Sequence, residues 1–133
     1  MVALRLTSFE DVRVARECAR DLAEAAGLHD PGAVVQATGE LANNCVEYGD
    51  RSAGLLWIGC GLGRLSLRFE NASVERPTWS THKPLVVEEL RSGGYGLQIA
   101  RALAQRIDCH WVDGRVVVEA EFNCALDGSY LLA

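Results

Sequence analysis

The chain has no apolar run approaching the ~20 residues a membrane-crossing helix needs. Its opening, Met1-Val2-Ala3-Leu4-Arg5-Leu6-Thr7, has neither the basic nor the apolar region of a secretory signal. No membrane partner is expected, and a cytoplasmic protein is. There is no C-x-x-C pair either. Five cysteines (Cys18, Cys45, Cys60, Cys109, Cys124) are odd in number and widely spaced, which argues against a disulfide framework and for buried, reduced thiols. A zinc site built from His82, Cys109 and His110 fails on spacing. Positive charge is not in surplus: 13 Lys and Arg against 18 Asp and Glu leave a net charge of −5, which argues against nucleic acid as the main partner. Repeats, linkers and low-complexity segments are missing too, so residues 1–133 read as one domain with room for a core.

The most telling absence is local. Between Pro31 and Asp50 there is no Lys or Arg, yet this stretch carries Glu40 and Glu47. Asp30-Pro31 is a good helix start and Gly49 a good stop. At about 100° per residue, Val34, Thr38, Leu41, Cys45 and Tyr48 share one face. Glu40, Asn43, Asn44 and Glu47 cluster on a nearly opposite one. Such a stripe is ordinarily a solvated face held by ion pairs, and here the cations are missing. Glu40 and Asn44, at i and i+4, can aim their oxygens at one small volume. That volume suits a hard cation such as Mg²⁺, and a carboxylate beside it can orient a hydroxyl or water. The solvated face and the functional site both remain open on this helix alone.

A second segment bears on that choice. Gly93, Gly94 and Gly96 run straight into a helical pattern in which Leu97, Ala100, Leu103, Ala104 and Ile107 form one apolar stripe. Glycine allows close backbone approach, and the free amides of a helix start suit an anion such as phosphate. A plain turn would look the same.

Along the rest of the chain, Val2–Leu6 alternates as a short strand. Ser8 and Asp11 frame a capping-box start to a helix ending near Gly27, with Val12, Ala15, Ala19, Leu22 and Ala26 inward. Its outward residues Arg13, Arg16, Glu17, Arg20, Asp21 and Glu24 form either a solvated or a docking face. Leu55–Ile58 is an apolar strand, joined through Gly61-Leu62-Gly63 to the alternation Leu65, Leu67, Phe69 in an antiparallel hairpin. Residues 71–84 form an irregular loop, and 86–90 a short helical turn. Cys109–Val112 and Arg115–Phe122 make a second hairpin through Asp113-Gly114. The tail 124–133 has no pattern. Helices and hairpins in one small domain predict an α+β, two-layer sandwich: a mixed, mostly antiparallel sheet covered on one face by helices.

The order of these parts resembles the GHKL ATPase superfamily and its Bergerat ATP-binding fold. Glu40-Leu41-Ala42-Asn43-Asn44 is similar to its N-box, and Gly94-Tyr95-Gly96-Leu97 to its second glycine box. Within the superfamily the chain looks most like the small bacterial serine kinases that act as anti-sigma factors or stress-switch proteins. The first helix, Glu40…Asn44…Tyr48, the short lid, and Thr81-His82-Lys83-Pro84…Arg91-Ser92-Gly93 carry that likeness, over residues 8–122.

The resemblance implies that Asn44 ligates Mg²⁺ and that Glu40 is the general base toward a serine hydroxyl. It implies that ATP or ADP is held by Thr81, Lys83, Ser92, Gly93, Gly94, Tyr95, Gly96 and Leu97. The implied partners are a small antagonist protein of the anti-anti-sigma type and a sigma factor, with a homodimer compatible. One element departs. Where the family has Asp-x-Gly-x-Gly, with the carboxylate accepting from the adenine amino group, this chain reads Glu70-Asn71-Ala72-Ser73-Val74, without glycine. Either Glu70 or Asn71 can supply the acceptor. The departure leaves a second expectation beside the kinase: a non-catalytic interaction module with a weakened nucleotide site.

Overall fold

The computed structural model describes residues 1–48, 53–61, 63–73 and 96–123. Among these residues five strands, β1 (Val2–Leu6), β2 (Gly54–Gly61), β3 (Arg64–Ala72), β4 (Arg106–Val112) and β5 (Arg115–Asn123), accompany three helices, α1 (Phe9–Ala25), α2 (Pro31–Tyr48) and α3 (Gly96–Leu103). The strands form one sheet in the order β1-β2-β3-β5-β4. Every neighbouring pair is antiparallel, so among the described residues the sheet is wholly antiparallel rather than mixed. The chain is thus α+β, with a helical layer over one face of the sheet.

Period-two alternation decides which face each strand residue takes. Leu65, Leu67 and Phe69 of β3 are buried, and they oppose Phe122, Ala120 and Val118 of β5. Leu56 and Ile58 of β2 and Leu6 of β1 complete the sheet side of the core. The helices close it with Val12, Ala15, Ala19 and Ala23 from α1, Val34, Ala37, Leu41, Ala42 and Cys45 from α2, and Ala100 from α3. Three alanines on the buried side of α1 leave little bulk between it and α2. The opposite sheet face carries Arg68, Glu70, Glu119 and Glu121, with the Arg68 guanidinium 5.5 Å from the Trp57 ring centroid.

Local chemistry sets the ends of the elements. The Asp11 carboxylate accepts from the Thr7 hydroxyl at 2.7 Å and from the backbone N–H groups of Thr7 at 2.8 Å and Ser8 at 3.2 Å. Those bonds hold its carboxyl below the usual carboxylate range, the Thr7 hydroxyl contributing most. At the other end of α1 the Leu28 N–H donates to the Ala23 carbonyl and the Gly27 N–H to that of Glu24, a Schellman closure. The Asp30 carboxylate accepts from the Ala33 N–H at 3.1 Å at the start of α2. Between β4 and β5, Asp113 and Gly114 both have positive φ (51° and 74°), as a two-residue hairpin turn of matching twist requires.

Two expectations are corrected. Ile107 does not continue the stripe of α3, which ends at Leu103. It lies in β4, opposite Ala120, and β4 starts at Arg106 rather than Cys109. The Gln105 N–H donates to the Glu121 carbonyl at 2.8 Å, so pairing with β5 captures the chain before another helical turn forms. The thiols are also not uniformly buried. Cys45 is buried, Cys18 and Cys109 are half-buried against the core, and Cys60 is exposed near the end of β2. The helical turn at 86–90, residues 74–84 of the irregular loop, the tail and Cys124 lie outside the described residues.

Candidate functional site

The apolar face of α2 is buried as its periodicity predicts, at Val34, Thr38, Leu41 and Cys45. The opposite stripe is not an ordinary solvated face. Glu40, Asn43 and Asn44 are half-buried, and only Glu47 is exposed. What partly covers Glu40 and Asn44 is the start of α3. A Cβ placed on Gly96 would lie 3.2 Å from both the Oδ1 and Nδ2 of Asn44 and 3.2 Å from Oε2 of Glu40. Such distances are tighter than ordinary van der Waals contact, so the absent side chain at Gly96 is what admits both polar groups. Two segments more than fifty positions apart therefore converge: the i, i+4 pair on α2 and the glycine that opens α3.

Glu40 has no ion-pair partner among the described residues. The guanidinium of Arg16 of α1 packs against Gly39, the residue before Glu40, and forms no ion pair with the carboxylate. On α3, Arg101 sits in the last turn, away from Gly96. The carboxylate and carboxamide thus present oxygens beside a helix start with no cation of the described residues engaged there, a donor set suited to a hard divalent ion. By themselves the described residues contain no group of three or more His, Cys, Asp or Glu placed to hold a metal. A bound ion would complete its coordination with other oxygens, as Mg²⁺ on phosphates does.

Glu70 and Asn71, the two residues offered as acceptor, take opposite faces of the sheet. Asn71 continues the inward series Leu65, Leu67, Phe69, and its Oδ1 accepts from the Cys45 thiol of α2 at 3.7 Å. Its Nδ2 donates to the Ala72 carbonyl at 3.5 Å. Glu70 points to the opposite sheet face, where its Oε1 accepts from Arg115 Nε at 3.4 Å and lies 3.9 Å from Arg68. Only Asn71 of the two faces the layer that holds Glu40 and Asn44. Beside it in the same row, Trp111 of β4 donates its indole N–H to the Ser73 carbonyl at 3.1 Å. Sequence reasoning did not single out Trp111, though alternation within β4 carries the signal. Desolvation pushes the Cys45 thiol up to about 12, so it remains a protonated donor to Asn71 and no nucleophile.

Leu97 packs its side chain against the core, leaving only its backbone to any ligand. Thr81, Lys83, Ser92, Gly93, Gly94 and Tyr95 lie outside the described residues. An open trough of about 460 Å³, lined by Met1, Trp57, Arg68, Glu119 and Glu121 among others, lies on the outer sheet face, across the sheet from Glu40. No helix among the described residues is long and apolar enough to cross a membrane. Among known proteins, no family model matches the chain, and no curated protein matches it.

Proposed function

We propose that this chain is an ATP-binding serine/threonine protein kinase of the GHKL type, with the Bergerat fold. In this reading it acts in the bacterial cytoplasm on a small antagonist protein, as anti-sigma and stress-switch kinases do. The observation that supports it is the meeting of Glu40 and Asn44 at Gly96, because it joins the two segments that separately resemble the N-box and the second glycine box. Asn44 is the residue that would hold Mg²⁺, and Mg·ATP supplies the transferable phosphoryl group. Glu40 accepts the proton of an incoming serine hydroxyl as its oxygen bonds to phosphorus and ADP leaves. Phosphoryl transfer demands mainly positioning and charge neutralisation, which half-buried polar side chains with a bound metal ion could provide. Asn71 is the base-side acceptor in this reading, since Glu70 faces away.

A second reading rests on the same end of β3. The Cys45–Asn71 contact joins α2 to the sheet where the family's glycines make room for a base, and Ala72 and Ser73 carry side chains there. On that reading the domain binds a protein partner without nucleotide. Thermal denaturation with and without Mg·ADP separates the two. Ligand at 100 times its dissociation constant stabilises by about 2.7 kcal/mol, a plainly visible shift. No response at saturating nucleotide would overturn the kinase and leave the interaction module.

A further inference from the structure

Resting on the nucleotide reading of this site, we infer that Glu40 makes polyphosphate binding conditional on a divalent cation. It acts as an electrostatic gate, apart from any role toward a serine. Two observations carry this. Glu40 Oε2 lies 3.2 Å from the position a Gly96 Cβ would take, so the carboxylate sits against the start of α3, where phosphate oxygens would have to come. No Lys or Arg occurs on α2, and among the described residues no cation pairs with Glu40, so none of the described side chains neutralises its charge there.

A half-buried carboxylate beside an arriving diphosphate is a like-charge contact in a medium of reduced dielectric. Asn44 and Glu40 would hold a divalent ion there, and its positive charge would offset that repulsion. Without the ion, the carboxylate rather than the phosphate remains at the helix start.

This account differs from one in which the metal acts through Asn44 alone. If Asn44 is the whole reason for metal dependence, neutralising Glu40 changes nothing when the metal is removed. If Glu40 is the gate, neutralising it admits metal-free nucleotide.

Calorimetric titration of ADP into the full chain, in excess Mg²⁺ and then in excess chelator, decides between them. Removing the metal is expected to weaken ADP binding to the wild type by about 100-fold, and to Glu40→Gln by less than about 10-fold. Glu40→Asp keeps the charge and is expected to retain the wild-type dependence. Equal metal dependence in wild type and Glu40→Gln overturns the inference while leaving the nucleotide reading intact. So does a Glu40→Asp protein whose affinity for ADP falls by less than about 10-fold on metal removal, which also decides the matter if Glu40→Gln does not fold. Absence of ADP binding in the wild type even with Mg²⁺ overturns the nucleotide reading, and the gate with it.

Discussion

The two faces of this small sheet protein treat carboxylates in opposite ways. On the outer sheet face Glu70 lies between Arg115 and Arg68, Glu121 meets Arg64 at 3.3 Å, and Asp108 meets Arg106 at 2.8 Å. These pairs are partly solvated, and each contributes at most about 1 kcal/mol. Within the helical layer Glu40 is half-buried with no such partner among the described residues, and it faces the backbone of another helix at Gly96. Charges on the first face are compensated and energetically minor. The second face holds a charge that the described part of the chain leaves uncompensated, and such a charge is more informative about function than any number of surface pairs.

Substitutions can break this contrast, beginning with the largest effect. Glu40→Gln should lower phosphoryl transfer to an antagonist serine by roughly 10²–10⁴-fold, the usual worth of a positioned base. Radiolabel transfer measures it, and wild-type rates in the variant would remove the base assignment. Gly96→Val should abolish Mg·ADP binding and cost about 1–3 kcal/mol of stability, because its Cβ lands on Glu40 and Asn44. Undiminished ADP affinity would mean the convergence at Gly96 serves packing alone.

Thr38 sharpens the comparison from inside the core. Its Oγ1 is fully buried with no hydrogen-bond partner among the described residues. Thr38→Val, nearly isosteric, should therefore stabilise the fold by about 1 kcal/mol, raising Tm by about 4 °C. A lower Tm would show that the hydroxyl has a partner after all. On the outer face, Glu70→Gln should change stability by less than about 1 kcal/mol and leave Mg·ADP affinity unchanged. A large loss of affinity would return Glu70 to the site.

The smallest effects are in pH. Asp11 is depressed by its bonds to Thr7 and Ser8, so its contribution to the start of α1 is present above its unfolded value and lost as pH falls through the folded one. Thr7→Ala, which removes the hydroxyl, should make acid unfolding begin at a lower stability but with a shallower slope. Cys45 titrates in the opposite sense. Its thiol is pushed up to about 12, so stability is lost as pH rises from about 9 toward that value, where the unfolded chain ionises first. Thiol labelling at neutral pH should accordingly modify exposed Cys60 well before Cys45.

Much of this architecture is legible in the sequence itself. The period of α2 placed Val34, Leu41 and Cys45 inward, and Asp113-Gly114 announced the β4–β5 turn, because side-chain periodicity and turn chemistry are local properties. Ile107 was misassigned because it fits a helical stripe and a strand alternation equally well, and only pairing with Ala120 decides. The register at Glu70 and Asn71 was readable in principle, since alternation from Leu65 through Phe69 continues to Asn71. What no local pattern could reveal is that Gly96 lands on Glu40 and Asn44. That contact depends on how two helices cross, which is fixed by the packing of the whole layer.

The strand order has a consequence for how the molecule assembles. β2 with β3 and β4 with β5 are hairpins between sequence neighbours, but the β3–β5 ladder at the centre of the sheet joins Arg64 to Asn123 and Ala72 to Arg115. Closing it requires the entire intervening chain, α3 included, to be gathered first, and loop-closure entropy opposes this. The hairpins should therefore gain amide protection before the central ladder does in pulsed hydrogen exchange. Protection arising simultaneously throughout would instead indicate one concerted step. The approach of Gly96 to Glu40 and Asn44 likewise joins segments more than fifty positions apart, so its presence reports on completed folding rather than on either hairpin alone.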